Sequence, residues 1–508
     1  LAGAKSQSPL TAGESRGKQI YVRGTSPSGK EILAYLGESS LEVQGSAMPC
    51  ANCHGLDGKG KPEGGVTPSN LTWEALTKPY GVTHPDGRQH PPYTERGLEL
   101  AITRGLDPAG NRLLNVMPRY VMSKDDMADL ILYLKRLGGD RDPGIAENSI
   151  IIGTTVPKGA LAEMGRAVKA VMTAFFDELN RQGGVYSRLV ELRFIETDET
   201  GSAKLASIER LLNDEQVFAL AGAFIAGAEK EIIPLIAQKE VPLIGPITLY
   251  PQIGFPLNRQ VFYILSGVDG QARALIKFAA QKPELKTSPV AVVCPRSEAN
   301  ESIVKAIEDQ SKREGLSAPR AYLYEAGRLD VSEIIRQLRR DGREAIFFMG
   351  SGEEILSLIR EADKTGWYPF ILQPGSSGGV DIFKAPVGFD GRLFFAVPTS
   401  PVDQSPKGIK EFSALAEKHN LSGQHLAAQF SAYSSAKILV EALKRVGRDA
   451  SREKLIQALE RFHQYQTELT PAITYGPNRR VGAMGAYVVR VNVKEKRLLP
   501  ASEWIDIE

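Results

Sequence analysis

The sequence predicts two bodies in one chain: an all-α domain over residues 1–144, then an α/β domain over 145–508 made of two doubly wound parallel-sheet lobes. Three observations carry this. From Ser149 onward, short apolar runs of strand length alternate with amphipathic stretches of helix length, a pattern of parallel sheets covered by helices on both faces. The alternation stops after the run 241–244 and restarts at 290–294, and two such blocks make two lobes. Before it, helical spacing and long turns end at a breaker cluster, Gly138-Gly139-Asp140-Arg141-Asp142-Pro143-Gly144.

The all-α domain carries Cys50-Ala51-Asn52-Cys53-His54. C-x-x-C-H is the spacing at which two thiols add to the vinyl groups of a haem and the adjacent histidine reaches the iron. A zinc knuckle needs a second pair of ligands at matching spacing, and Cys294, the last of the 3 cysteines, stands alone. The expected cofactor is therefore one covalently attached haem c, bound through Cys50 and Cys53 with His54 as an axial ligand. Two of the three thiols are then consumed, so no disulfide forms within the chain. Cys294 ends the apolar run 290–294 and reads as a buried strand residue.

Downstream, Ser123 opens a helix through Met127, Leu130, Ile131, Leu134 and Leu137, whose spacing of three and four makes it amphipathic. Ser123 is its expected N-cap, Asp125 and Asp126 suit the positive end of its dipole, and Lys135 and Arg136 suit the negative end. Gly138-Gly139 stops it. The second face of the iron needs a ligand, and Met48, Met117, Met122, Met127, His84 and His90 are the candidates. Met127 points into a helix core and Met122 staples the helix start. Met48 is so close to the attachment site that the chain would have to double back at once. His84 and His90 lie in a Pro-rich turn region that reads as solvent-facing. Met117, before Pro118 in a loop between helical stretches, is free to point inward and is the expected sixth ligand.

Gly17-Lys18-Gln19-Ile20-Tyr21, the 50–54 motif, Met117-Pro118 and Tyr133-Leu134-Lys135-Arg136-Leu137 together resemble the class I cytochromes c. The resemblance implies that the first and last helices cross with Gly17 against Tyr133. It also implies haem attachment outside the cytoplasm, hence a periplasmic protein, and the start at Leu1 rather than Met is read as an N-terminus left by removal of a signal peptide. His/Met ligation leaves no open coordination site, so such a haem passes electrons and binds no substrate. Residues between Tyr21 and Cys50 form a long insertion to which the sequence assigns no role.

In the α/β domain, strands are expected at 150–154, 185–196, 217–221, 241–244, 290–294, 322–325 and 345–349. Helices are expected at 161–182, 204–213, 229–238, 297–314, 331–340 and 353–365. Ligands of doubly wound sheets bind beyond the carboxyl ends of the strands, so the loops after Ile152, Ala221, Ile244, Met349 and Leu372 are the ones to watch. The segment 154–165, the run Asp177-Glu178-Leu179-Asn180-Arg181-Gln182-Gly183-Gly184-Val185, Phe194-Ile195-Glu196-Thr197-Asp198 and Val241-Pro242-Leu243-Ile244-Gly245-Pro246 resemble the branched-chain amino acid (Leu/Ile/Val) binding proteins. These are type I periplasmic binding proteins serving ABC importers. Members that bind amino acids hold the ammonium with an acidic residue and the carboxylate with hydroxyls.

This chain departs from them: Gly222-Ala223-Phe224-Ile225-Ala226-Gly227 lacks a hydroxyl, and Gln373-Pro374-Gly375-Ser376-Ser377-Gly378-Gly379 lacks a carboxylate. An ammonium buried without a counter-charge is expensive, so a zwitterion is disfavoured. Glu353 and Glu354 suit the first turn of a helix better than a ligand site. The cleft residues left are Met164, Ala226, Gly227, Thr248, Ser351 and Ser376, with Tyr250 beside them, a set that suits a neutral or mildly polar molecule or a carboxylate held by backbone donors. His419, His425 and His463 do not form a metal-ligand pattern.

Composition narrows the function further. With 42% hydrophobic and 24% charged residues the composition is that of ordinary globular protein and gives no sign of disorder. A net charge of +2 without a basic block favours neither nucleic acid nor an anionic membrane as partner. The apolar stretch 217–228 is far shorter than the about 20 residues of a spanning helix. With no nucleophile–base pair visible, the expected function is electron transfer to or from a periplasmic redox enzyme or cytochrome, joined to a module that binds a small molecule or docks a partner. The alternative is an importer's solute receptor with haem as redox sensor or passenger. Oxidation of a cleft-bound ligand is a third, weaker reading.

Overall fold

The computed structural model describes residues 10–37, 41–60, 65–84, 87–139, 141–254, 256–375 and 380–507. The chain divides into two compact units, Leu1–Pro143 and Gly144–Glu508. In the first, the helix Ala12–Arg23 starts at a capping box between Thr11 and Glu14 and ends at Gly24 in the left-handed conformation. The helix Lys124–Leu134 starts where the spacing predicts, with Ser123 Oγ accepting from Asp126 N at 3.2 Å.

These two helices cross at Gly17. A Cβ built there would lie 2.0 Å from the Asp129 carbonyl oxygen and 2.8 Å from Tyr133 Cβ, so only glycine lets the backbones approach this closely. Around the crossing Ile20, Tyr21, Leu130, Tyr133 and Leu134 form the core of the unit.

Helices and long turns are not the whole of this unit. A three-stranded antiparallel sheet runs in the order Leu41–Gln44, Leu33–Leu36, Arg119–Val121. Its strands are three or four residues long, too short to show a period of two, and they pair segments far apart in sequence. The insertion before the haem motif thus supplies the partner for the strand that follows Met117-Pro118.

In the second unit, one lobe holds six parallel strands in the order Val481–Ala483, Val261–Leu265, Leu243–Ile244, Ala219–Ala221, Ser149–Pro157, Leu189–Thr197. The other holds five parallel strands, Arg320–Tyr324, Val290–Pro295, Ala345–Phe348, Phe370–Pro374 and Leu393–Val397. Antiparallel strands from the C-terminal segment, Gly485–Asn492, Arg497–Pro500 and Ile505–Asp506, complete that second sheet. Each sheet has a buried apolar cluster on both faces. Cys294 is fully buried, as its strand position predicts, and burial pushes its thiol up to about 11.

The chain passes between the lobes at Ser266, over 398–405 and at Met484. Ser266 Oγ donates to Gly485 O at 3.1 Å and Tyr487 donates to Asp403 Oδ1 at 2.5 Å, which ties the three passages together. A narrow three-segment connection is the geometry on which two lobes hinge.

Candidate haem site and ligand cleft

Cys50–His54 forms one short helix after Pro49, so Cys50, Cys53 and His54 stand at positions i, i+3 and i+4 and share a face. The His54 ring is held by its Nδ1, which donates to Ser69 O at 2.9 Å, and this leaves Nε2 for a metal. Burial pushes the imidazole pKa down, against the pull of the Ser69 carbonyl, which favours the neutral form that ligates. Burial also pushes the Cys50 thiol up to about 12. Met48, Cys50 and Ala51 pack against the core of the unit, and Tyr21 donates its hydroxyl to Gly55 O at 2.7 Å, which ties the end of this helix to the first long one.

Met117 is half-buried, and its carbonyl accepts from the Arg119 guanidinium, which also reaches Leu113 O at 3.0 Å. Beyond it, Arg119, Tyr120 and Val121 pair with Tyr35, Ala34 and Leu33 of the insertion. Tyr120 donates to Met48 O at 2.6 Å, so the strand after Met117 is anchored to the residues just before the Cys50 helix. The same loop exposes Leu114 and Val116 at 58% and 53%, apolar surface that a bound group or partner would cover. A carbonyl-anchored histidine beside two thiols on one helix turn fits a covalently attached haem.

Of the other candidates for the sixth ligand, Met48 packs with Cys50 and Ala51 against the core. Met127 is buried in the core and Met122 packs against it, as their spacing implies. His90 differs from the solvent-facing position its Pro-rich surroundings suggest: it is 6% exposed, because the short hairpin Val82–Thr83/Gln89–His90 turns its ring edge-on to Tyr93. Its Nδ1 donates to Pro91 O at 2.8 Å and its Nε2 lies 3.0 Å from that of His84.

In the second unit, the cleft residues divide by lobe. Met164 is half-buried in the first turn of the helix Ala162–Arg181, beyond the strand Ser149–Pro157. Ala226 and Gly227 lie in the loop after Ala219–Ala221, and Thr248 in the loop after Leu243–Ile244. Two residues that sequence reasoning passed over join these loops. Glu229 is buried, accepts from Gly227 N at 2.9 Å and accepts the Thr248 hydroxyl, whose oxygen in turn takes Tyr250 N at 2.9 Å. Lys204 is buried too, donating to Glu199 O and Ala226 O at 2.7 Å each beneath the Phe224 ring.

The sequence signal for Glu229 is only an acid at a helix start, which usually serves the dipole. Tyr250 packs half-buried against the core of the other lobe, and burial raises its hydroxyl pKa. On that lobe Ser351 is the N-cap of Gly352–Lys364: its hydroxyl accepts from Glu354 N, and Glu354 returns the bond to Ser351 N at 2.7 Å. Glu354 thus serves the helix start, as expected. Ser376 lies outside the described residues. An exposed ion pair between Lys230 and Glu298 joins the lobes at helices that follow Ala219–Ala221 and Val290–Pro295.

Two α/β lobes on a three-segment hinge define the second unit as a solute-binding module, and the anchored C-x-x-C-H helix defines the first as a haem-attachment module. A periplasmic binding protein family model matches residues 150–497, more than half of the chain, and the chain belongs to that family. A cytochrome c model matches residues 44–138, and that domain implies a covalently bound haem c. The chain is 22% identical over 334 residues to a leucine-, isoleucine-, valine-, threonine- and alanine-binding protein of Pseudomonas aeruginosa, covering 65% of this chain and 87% of the relative. It is 21% identical over 335 residues to the Leu/Ile/Val-binding protein BraC3 of Rhizobium johnstonii, covering 65% and 89%.

Among solved structures, it resembles a fatty acid ABC transporter substrate-binding protein from Thermomonospora curvata, with a TM-score of 0.58, 16% identity and coverage of 73% of this chain and 95% of that one. A branched chain amino acid ABC transporter protein from Thermus thermophilus with bound valine also gives 0.58, at 17% identity, with coverage of 71% and 97%. These relatives are substrate-binding proteins rather than enzymes. Both families are typically exported, and among the described residues no helix is long and apolar enough to cross a membrane.

Proposed function

We propose that this protein is a periplasmic electron carrier with one c-type haem, joined to a module that recognises a small molecule or docks a redox partner. The observation that carries the reading is the His54 ring, fixed by the Ser69 carbonyl, on the same helix turn as Cys50 and Cys53. The haem would be attached at those two thiols and capped by His54 and Met117, and it supplies reversible one-electron exchange. The chain's part would be to hold the two iron-binding side chains: the Ser69 carbonyl orients His54, and the Arg119 guanidinium with the inserted sheet steadies the loop of Met117.

The domain boundary is placed at Gly144. The second module's ligand is drawn from the classes its relatives are named for, amino acids and fatty acids. The lack of a hydroxyl in 222–227, with Thr248 and Ser351 committed to internal bonds, leaves few side chains to hold a carboxylate, and the lack of an acid in the sequence 373–379 leaves none there for an ammonium, which favours an apolar or mildly polar ligand over a zwitterion. Mass spectrometry of the haem peptide and of ligand released from freshly purified protein tests both halves. Haem on Cys50 and Cys53 with no carbon monoxide uptake by the ferrous protein is expected; free cysteines would overturn the carrier reading. The alternative, an importer's receptor in which haem is a redox sensor or passenger, is favoured by the family match over 150–497. It predicts tight binding of one solute that persists when Met117 is replaced, with no competent electron partner.

A further inference from the structure

We propose that His84 and His90 form a binding site for a divalent d-block cation such as Zn2+ or Cu2+, on residues distinct from those assigned to the haem. The two rings face each other across the hairpin Val82–Thr83/Gln89–His90, Nε2 to Nε2, at 3.0 Å. Metal–nitrogen bonds of about 2.0–2.1 Å subtend that separation at roughly 95°, the cis angle of a square-planar or octahedral ion. Opening to the tetrahedral angle needs only a few tenths of an ångström.

The pair is preorganised. His90 is 6% exposed, and its Nδ1–H donates to Pro91 O at 2.8 Å, so its Nε2 carries the lone pair. A carbonyl on the far nitrogen is the usual support of a metal-ligating histidine. The backbone around His84 is closed by its own N–H to Arg88 O at 2.8 Å and by Gly87 N to His84 O at 2.9 Å. Gly81, at φ +74, passes so close that a Cβ would lie 2.4 Å from His90 O. The Arg88 charge is met by Asp107 at 2.8 Å, so the hairpin sets no net positive field against a cation.

Without a cation, one proton is shared between the facing nitrogens, His84 donating and His90 accepting. Binding moves that proton to the far nitrogen of the His84 ring, a change of tautomer with no net proton lost, and leaves both Nε2 lone pairs for the ion. His84 is half-buried, so the site is reached from solvent. Imidazole pairs select Zn2+, Cu2+ or Ni2+ over Mg2+ and Ca2+.

The test uses the full haem-loaded chain, stripped with chelator and titrated with Zn2+ by calorimetry and with Cu2+ by electron paramagnetic resonance. One equivalent is expected to bind, with Cu2+ showing coupling to two imidazole nitrogens. His84→Ala, and His84→Gln as a variant that keeps a donor to His90, are expected to weaken binding at least about tenfold while haem spectrum and potential stay unchanged. His419→Ala, which removes the partner of Glu178, leaves the affinity as it was. Unchanged affinity and nitrogen coupling in both His84 variants, or no saturable binding up to millimolar metal, would overturn the proposal, whatever the haem module does.

Discussion

Gly17→Ala tests the helix crossing on which the haem-bearing unit depends. The added methyl would stand 2.0 Å from the Asp129 carbonyl oxygen, 2.6 Å from its carbon and 2.8 Å from Tyr133 Cβ. Two of the three contacts are backbone, so no rotamer change relieves them, and the helices Ala12–Arg23 and Lys124–Leu134 must part by about an ångström. A gap of that size forfeits a quarter to a half of the dispersion between atoms that were touching. Overpacking of this kind costs about 1–3 kcal/mol or more, while alanine regains about 1 kcal/mol of helix propensity over glycine. The backbone clash lies at the upper end of that range, so it wins, and a net loss of about 1–2 kcal/mol is expected. With a urea slope of about 1–3 kcal/mol/M, the midpoint falls by roughly 1 M. The assay is urea unfolding followed at the Soret band, which reports this unit alone. Gly13→Ala is the control: its Cβ would meet only the ends of the Asp129 and Leu132 side chains, both at 3.0 Å, which can move aside. A midpoint for Gly17→Ala equal to or above the parent's refutes the reasoning.

Met117→Ala is expected to open the sixth position, seen as carbon monoxide uptake by the ferrous protein at neutral pH, and Met117→His to lower the potential. Tyr120→Phe removes the bond to Met48 O and is expected to cost the haem unit about 1–2 kcal/mol, read by the same Soret titration; an unchanged midpoint would show that this tie holds nothing. Glu460→Ala leaves Arg480, 3% exposed and paired to it at 2.7 Å, with its charge uncompensated. A loss of about 3–5 kcal/mol in the binding-protein unit is expected by tryptophan fluorescence, and under about 1 kcal/mol would contradict it. Glu178, hydrogen-bonded by Lys418 and His419 and joined by Arg181, has its pKa lowered from 4.5 to about 2. Because the folded value is the lower one, its stabilisation is full above the ordinary carboxylate range and fades as pH falls toward 2. The difference in melting temperature between the parent and Glu178→Gln should therefore be largest near neutrality and shrink below pH 4.5; a constant difference would show that the ion pair is idle.

Local pattern was enough for much of this protein. The Cys50-Ala51-Asn52-Cys53-His54 spacing, the Ser123 cap, the 20-residue helix Ala162–Arg181 and the two alternating blocks were all legible, because chelate spacing, capping and amphipathic period are properties of neighbouring residues. The strands Leu33–Leu36 and Leu41–Gln44 were not, since their partner Arg119–Val121 is remote and pairing energy leaves no trace in a segment of three or four residues. The short strand Val261–Leu265 went unread for a related reason: fully buried strands are apolar throughout and show no alternation. The folded chain alone decided that Ser69 orients His54, that His90 is buried against His84, and that Glu229 joins the loops of Gly227 and Thr248. Each of these depends on where a side chain points after distant segments meet. The sequence determines which groups are available, and only packing decides which of them face each other.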